Sequence, residues 1–159
     1  MIIQPKQKII NTLNEAAPVL ETISADFFVI GAAGIVLSGF DIGDTSDIDI
    51  LTTRDNSDKL QLAWHDKQEI NPILKEVNLF RSNFARFKFP LMDVEVMGDL
   101  EIKKDNEWIP LIINDYHRIH LDKISLNVPT INEQIRILHL FDRPKDNKRI
   151  NTLNKLIKG

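Results

Sequence analysis

The sequence predicts an α+β fold, in which a mixed β-sheet is flanked by helices and followed by a C-terminal helical pair. Three observations lead to this prediction. An unbroken apolar run at residues 27–30 leads directly into a glycine turn. Short segments of alternating polarity follow one another between residues 78 and 109, as neighbouring strands do, without the regular strand–helix alternation of a parallel sheet. From residue 130 onwards, two segments begin with helix-capping residues.

The first half of the chain predicts helices and strands in alternation. Apolar residues at helical spacing indicate an amphipathic helix over residues 6–23. The next elements are a buried strand over residues 27–30, a glycine turn with a short helix over residues 31–37, and a second strand over residues 47–52. Asn56 or Ser57 is expected to cap a further helix, which covers residues 58–68.

The second half predicts adjacent strands and then two helices. The stretch 78–98 predicts two strands, the first containing the alternating runs 79–82 and 85–89 and the second covering residues 91–97. A hairpin over residues 101–109 is expected to turn at Asp105-Asn106. Thr130, with Glu133 three residues later, has the spacing of a capping box and should start a helix through Leu140. The last helix is expected to begin at Asp142-Arg143-Pro144 and to run to about residue 157.

Length and composition indicate a single globular domain over residues 1–159. Apolar residues make up 43% of the chain and charged residues 27%, which are the proportions of an ordinary folded protein. The chain has no cysteine, which excludes disulfides, thiolate zinc sites and thiol nucleophiles and favours a cytoplasmic location. A net charge of −3 argues against an extended nucleic-acid footprint. No membrane association is expected, because the longest apolar stretch, residues 27–40, is too short and too rich in glycine to span a bilayer.

Two aspartates on the second predicted strand are the strongest functional signal. Side chains alternate between the faces of a strand, so Asp47 and Asp49 share one face while Ile48 and Ile50 enter the core. Two such carboxylates without an adjacent Lys or Arg in the sequence repel each other, and a divalent cation between them relieves the repulsion. The turn at Gly31 lets a phosphate approach the backbone. The combination indicates metal-assisted chemistry on a nucleoside triphosphate.

Four segments together resemble a known family. They are Gly31-Ala32-Ala33, Asp47-Ile48-Asp49-Ile50, Asp93-Val94-Glu95-Val96 and Arg143-Pro144-Lys145-Asp146. In this order, they resemble the minimal nucleotidyltransferases of the DNA polymerase beta-like superfamily, in particular the small bacterial proteins found among antibiotic-modifying enzymes and in toxin–antitoxin pairs. The resemblance spans residues 27–156 and implies a nucleotidyltransferase-like fold.

The resemblance also implies an activity and a set of site residues. The activity is transfer of a nucleoside monophosphate, AMP from ATP above all, to a hydroxyl of an unknown acceptor, which is a small molecule, a protein or an RNA end. Asp47, Asp49 and a third carboxylate would hold Mg²⁺ or Mn²⁺ and catalyse the transfer. Asp93 and Glu95 share a strand face, so both remain candidates for the third carboxylate, and the more central Glu95 is favoured. The candidates for phosphate binding are Gly31, Ala32, Ala33 and Lys145. Asp146 is expected to orient a neighbour or to cap the last helix.

Two other hypotheses keep the fold without the chemistry. One is a catalytically weak or inactive domain that binds a nucleotide or a partner in a toxin–antitoxin-type system, where the partner would be a small helical protein. Ala33 favours it because the family has a serine shortly after the glycine, and Asp44 favours it because the family often has a basic residue there. The other is a scaffold domain that uses its acidic face only for interaction.

Overall fold

The computed structural model describes residues 2–23, 25–43 and 45–159, which form five α-helices and a sheet of seven strands. The helices are α1 (Pro5–Leu20), α2 (Gly31–Leu37), α3 (Arg54–Ala63), α4 (Ile131–Phe141) and α5 (Pro144–Lys158), and one 3₁₀ turn covers His65–Lys67. The strands are β1 (Phe27–Ile30), β2 (Asp47–Thr52), β3 (Phe80–Lys88), β4 (Asp93–Lys104), β5 (Glu107–Pro110), β6 (Tyr116–His120) and β7 (Ser125–Pro129). No helix in these ranges is both long and apolar enough to cross a membrane.

The sheet is mixed, which confirms the predicted α+β class. Its strand order is β3-β4-β2-β1-β7-β6, and β5 pairs with the second half of β4. The pairs β2–β4 and β1–β7 are parallel, and the other pairs are antiparallel. The parallel pairing of β2 with β4 is the one that matters for the site, because it brings two distant acidic segments side by side.

The two faces of the sheet have different roles. On one face, the alternating apolar residues of the central strands are fully buried beneath α1, α2 and α3; they include Val29, Ile48, Ile50, Val94 and Val96. Each such side chain contributes about 1.5–3 kcal/mol to the free energy of unfolding. The opposite face is only partly covered, and it carries the acidic residues of β2 and β4. The fold therefore places a rigid hydrophobic core directly behind the acidic face.

The C-terminal helical pair is capped largely as the sequence predicts. Thr130 accepts a hydrogen bond from the Glu133 amide at 3.3 Å and begins α4. Pro144 is the first residue of α5, and Arg143 is its N-cap. Asp146 closes a capping box by accepting a hydrogen bond from the Arg143 amide at 3.1 Å. A small core of Ile35, Leu138, Ile150 and Leu153 then holds α4 and α5 against α2.

Some element boundaries differ from the predictions. The segments 27–30, 31–37 and 47–52 are confirmed to the residue. The predicted cap of α3 at Asn56 or Ser57 is wrong, because Thr53 caps the helix and accepts a hydrogen bond from the Asn56 amide. The Asn56 and Ser57 side chains are buried and bond to Thr52 and to strand β3 instead.

Strand predictions for the second half are confirmed in part. The two strands predicted between residues 78 and 98 are confirmed as β3 and the first half of β4, and the register of β3 shifts between Arg81 and Asn83. This irregularity explains the interrupted alternation in the sequence, since a bulge moves successive side chains out of phase. Strands β6 and β7 were not predicted, because the exposed outer strand β6 carries mostly polar side chains.

Candidate functional site

Three carboxylates from two parallel strands meet on the open face of the sheet. The register of β2 and β4 places Asp47 opposite Asp93 and Asp49 opposite Glu95. Carboxylate oxygens of Asp47, Asp49 and Glu95 all lie within 4.8 Å of one another. Among the described residues, these three form the one group of acidic and histidine side chains with metal-binding spacing. We call them the acidic cluster.

Asp93 lies beside the acidic cluster without belonging to it. Its carboxylate accepts a hydrogen bond from Lys88 Nζ at 2.9 Å, across the antiparallel pair of β3 and β4. Strand alternation could not distinguish Asp93 from Glu95, because both point to the same face, and the sequence favoured Glu95 only for its more central position. The geometry distinguishes them: Glu95 is grouped with the two aspartates of β2, and Asp93 is paired with a lysine.

Burial and mutual repulsion disfavour the ionised forms of two carboxyl groups in the acidic cluster. Burial raises the pKa of Asp49 to about 8, the charges of Asp47 and Glu95 act in the same direction, and Lys145 and Arg143 partly oppose them. Burial also raises the pKa of Glu95, with Asp47 acting in the same direction and Arg86 against it. Desolvated carboxylates that face one another disfavour their charged forms. A bound cation would remove this penalty, so the cluster has the electrostatics of a ligand set for a cation.

Gly31 fits against the acidic cluster with no room for a side chain. Its φ of +66° lies in the left-handed region, and a Cβ atom built on it would stand 2.7 Å from Asp49 Oδ2. Ala32, the next residue, lines the same cleft as the cluster. Ala33 is buried in the main core with 1% of its surface exposed, so its side chain faces away from the cleft. Asp44, which the sequence analysis places in the loop before Asp47, lies outside the described residues.

We expect Gly31→Ala to disturb the site as well as the fold. The left-handed backbone costs a residue with a side chain about 1–2 kcal/mol, and the methyl group must also displace the Asp49 carboxylate. The melting temperature should fall by several degrees, and Mn²⁺ affinity measured by electron paramagnetic resonance should fall with it. Gly39→Ala is the matched control, since Gly39 has φ +98° and a Cβ atom added there would meet nothing within 4 Å. Gly39→Ala should lose stability and keep Mn²⁺ affinity.

A cleft of about 410 Å³ extends from the acidic cluster to the start of α5. Arg143, Lys145 and Arg149 line the side of the cleft formed by α5. Arg143 is held by the fully buried Asp146, whose Oδ2 accepts a hydrogen bond from its Nε at 2.5 Å. Asp146 thus both caps α5 and orients Arg143, as the sequence predicts.

Two cleft residues were not predicted as site residues. Arg149 lies four residues after Lys145, one helical turn further along α5, and this spacing from the predicted phosphate-binding Lys145 was the available signal for it. Arg86 donates hydrogen bonds to Glu95 Oε2 from Nε at 3.1 Å and from Nη2 at 2.8 Å. The sequence did contain a signal for Arg86. If β3 and β4 form a hairpin in which Lys88 pairs with Asp93, the antiparallel register also pairs Arg86 with Glu95.

The apolar wall of the cleft comes from β3 and α4. This wall consists of Phe80 and Phe84 of β3 and Phe141 of α4. The rings of Phe80 and Phe141 pack edge to face, with their centroids 4.8 Å apart. Thr45 also lines the cleft, and its buried hydroxyl has no hydrogen-bond partner among the described residues. The cleft therefore offers oxygen ligands, cations and aromatic faces to one molecule.

Comparison with solved structures identifies the fold. The chain superposes on a provisionally assigned nucleotidyltransferase (TM1012) from Thermotoga maritima with a TM-score of 0.74, 17% identity, and coverage of 99% of this chain and 96% of that one. An antigenic nucleotidyltransferase-like protein from Paracoccidioides brasiliensis gives a TM-score of 0.59 at 16% identity, over 96% of this chain and 78% of that one. The lincosamide antibiotic adenylyltransferase LnuA, solved with lincomycin bound, gives a TM-score of 0.57 at 14% identity, over 93% of this chain and 95% of that one. No family model and no curated protein matches the chain.

The chain therefore has the nucleotidyltransferase fold, as the resemblance of its four motifs implied. The match extends over nearly the whole length of the protein from Thermotoga maritima, so the fold includes the C-terminal helical pair.

Proposed function

We propose that this protein is a metal-dependent nucleotidyltransferase that transfers a nucleoside monophosphate, AMP from ATP in the simplest case, to an acceptor hydroxyl. The observation that carries the proposal is the meeting of Asp47, Asp49 and Glu95 within 4.8 Å on a nucleotidyltransferase fold. An acidic triad alone is common on protein surfaces. Here it is half-buried, its members repel one another, and it opens into a cleft with cations on the opposite side.

The donor set of the acidic cluster fits a hard divalent cation. Mg²⁺ and Mn²⁺ prefer carboxylate oxygens, and Asp47, Asp49 and Glu95 would be their protein ligands. When bound, such an ion neutralises charge on the reacting phosphate and lowers the pKa of the acceptor hydroxyl. The acceptor oxygen would attack the α-phosphate, the bond from the α-phosphate to the β-phosphate would break, and pyrophosphate would leave. The three carboxylates would orient the reacting groups, and Glu95 would be the candidate to accept the proton of the acceptor hydroxyl.

The opposite side of the cleft suits the triphosphate of the substrate. Lys145 and Arg149 lie one turn apart on α5, and neither has a salt-bridge partner among the described residues. Cations left without carboxylates in a cleft are available for phosphate oxygens. Gly31 and Ala32 present a backbone without bulky side chains on the near side. A triphosphate between these two sides would place its α-phosphate towards the acidic cluster.

Lys145→Ala is expected to weaken ATP binding about tenfold, because a charge-assisted hydrogen bond to phosphate is worth about 1.5 kcal/mol or more. Isothermal titration calorimetry with ATP and Mg²⁺ measures the change. Lys148→Ala is the control, since Lys148 is exposed on the same helix and does not line the cleft. Equal losses from both substitutions would show that only the general positive charge of α5 matters.

Thermal-shift titration with ATP, with and without Mg²⁺, followed by a transfer assay with α-labelled ATP, tests the proposed function. A ligand that binds the native state raises the melting temperature by mass action. Stabilisation should require Mg²⁺, and label should then move to a hydroxyl-bearing small molecule, protein or RNA end. We propose a cytoplasmic location for the protein, because the cytoplasm supplies both ATP and Mg²⁺. ATP binding without any transfer would defeat the enzymatic proposal.

An inactive nucleotide- or partner-binding domain of a toxin–antitoxin-type system remains the second hypothesis. It was favoured by the alanine at position 33, where the family has a serine. Since the Ala33 side chain is buried in the core, the missing hydroxyl does not remove a group from the cleft. Binding of ATP that is unaffected by Mg²⁺, together with a stable complex with a small helical partner, would favour this hypothesis.

A further inference from the structure

Arg86 is the one cation that is hydrogen-bonded directly to the acidic cluster in the described part of the chain. It lies on β3, directly opposite Glu95 on β4. Its Nε and Nη2 both donate to Glu95 Oε2, and its Nη1 donates to Glu69 Oε2 at 2.6 Å. The guanidinium also stands over the Phe84 ring, with Cζ 5.5 Å from the ring centroid. These contacts fix Arg86 between a cluster carboxylate and a carboxylate outside the cluster.

Glu69 in turn belongs to a chain of ion pairs. Its other oxygen lies 3.5 Å from Lys88 Nζ, and Lys88 is paired with Asp93. The charges therefore alternate in the order Glu95, Arg86, Glu69, Lys88, Asp93. Glu69, which is not part of the acidic cluster, partly neutralises the positive charge that Arg86 presents to the cluster.

We propose that Arg86 is the built-in counter-ion of the acidic cluster, that it competes with a divalent cation for Glu95, and that Glu69 sets the strength of this competition. The inference rests on the proposed function, since it concerns the same cation site. When no cation is bound, Arg86 satisfies Glu95 and limits the repulsion among the carboxylates. When a cation binds, the positive charge of Arg86 opposes it, so the pair lowers the affinity of the site for the free ion.

The proposal predicts opposite effects for the two neighbours. Arg86→Met removes a positive charge next to the site and should tighten Mn²⁺ binding about tenfold at low ionic strength. Glu69→Gln leaves Arg86 less balanced and should weaken Mn²⁺ binding about threefold, although Glu69 itself is outside the acidic cluster. Arg86→Lys loses the fork of hydrogen bonds but keeps the positive charge, so its Mn²⁺ affinity should stay closer to that of the wild-type protein than the affinity of Arg86→Met does. A purely structural role for Arg86 would make all three variants lose affinity together.

The experiment is Mn²⁺ binding to the full chain without nucleotide, followed by electron paramagnetic resonance at pH 8 and at two salt concentrations. Arg81→Met is the control, because Arg81 is also on β3 and pairs with a glutamate of β4, Glu101, at 2.7 Å outside the acidic cluster. Melting temperatures provide a second readout: metal-free Arg86→Met should be less stable than the wild-type protein, and Mn²⁺ should raise its melting temperature by a larger amount. If Arg86→Met does not fold, weaker Mn²⁺ binding by Glu69→Gln still gives the sign of the effect, and Arg86→Lys is its charge-retaining control.

The outcomes separate this inference from the proposed function. Weaker Mn²⁺ binding by Arg86→Met, or tighter binding by Glu69→Gln, would overturn the competition while leaving the cation site in place. An absence of Mn²⁺ binding by both the wild-type protein and Arg86→Met would remove the cation site and, with it, the proposed function.

Discussion

Asp49→Asn should reduce nucleotidyl transfer at least about 100-fold and should at the same time make the metal-free protein more stable. The amide keeps the size and shape of the carboxylate, so the fold has no reason to change. It removes the charge that a divalent cation needs at the centre of the acidic cluster. It also removes a charge that burial and the two neighbouring carboxylates disfavour. Activity and stability are therefore expected to move in opposite directions.

The gain in stability should be large enough to measure. Relief of like-charge repulsion and desolvation at one half-buried carboxylate is worth about 1–2 kcal/mol after solvent screening. For a chain of this length, that amount raises the melting temperature by about 3–6 °C. The measurement is thermal unfolding in EDTA, compared with transfer of label from α-labelled ATP in Mg²⁺. Loss of activity together with loss of stability would mean that Asp49 is a structural residue.

Asp93→Asn is the matched control for Asp49→Asn. Asp93 is on the strand that carries Glu95, and its partner is Lys88 rather than the acidic cluster. The change should leave transfer and Mn²⁺ affinity within about twofold, since partly exposed ion pairs contribute little. Glu95→Gln should behave like Asp49→Asn in the transfer assay. Full activity of Glu95→Gln with loss of activity in Asp93→Asn would reverse the assignment of the third carboxylate.

Much of the site could be predicted because its parts are local in sequence. Asp47 and Asp49 share a face by strand alternation alone, and the turn at Gly31 follows from an apolar run that ends in glycine. The capping box at Arg143 and Asp146 was also readable, because proline at the first helical position fixes where α5 begins. Each of these inferences needs only a few neighbouring residues.

The unpredicted part depends on long-range pairing. Nothing local shows that β2 lies parallel to β4, and only that pairing puts Glu95 rather than Asp93 into the acidic cluster. The orientation of α5 also depends on long-range contacts, since its packing against α2 turns Lys145, which was predicted, and Arg149, which was not, towards the cleft. The wrongly predicted cap of α3 shows that tertiary contacts can also override a local signal. Asn56 and Ser57 look like caps, and buried tertiary hydrogen bonds use both side chains instead.

The metal-free protein should lose stability as the pH rises from about 5 to about 8. An ordinary aspartate ionises near 3.8 in the unfolded chain, whereas the pKa of Asp49 in the folded protein is about 8. Between these values, the folded state binds more protons than the unfolded state, so the free energy of unfolding falls as the pH rises. The raised pKa of Glu95 acts in the same direction. The expected total is on the order of a few kcal/mol.

Glu69 and Glu133 do not produce this slope. The pKa values of Glu69 and Glu133 are lowered, chiefly by hydrogen bonds from Arg86 and Arg136, so their stabilising effect is already complete above about pH 5. Chemical unfolding in EDTA across the pH range, for the wild-type protein and Asp49→Asn, isolates the contribution of the acidic cluster, because all other titrating groups cancel in the difference. The wild-type slope should be steeper than that of the variant.

Divalent cation should reverse the wild-type slope. A cation binds the ionised carboxylates of the folded protein, so in Mg²⁺ or Mn²⁺ the same groups that destabilise the metal-free protein at pH 8 stabilise the loaded one. The melting temperature should then rise from pH 5 to pH 8, and Asp49→Asn should show little response to the ion. A wild-type slope that is the same in EDTA and in Mn²⁺ would contradict a cation site in the acidic cluster. In that case, the repulsion among Asp47, Asp49 and Glu95 would lower the stability of the folded protein, and no bound cation would relieve it.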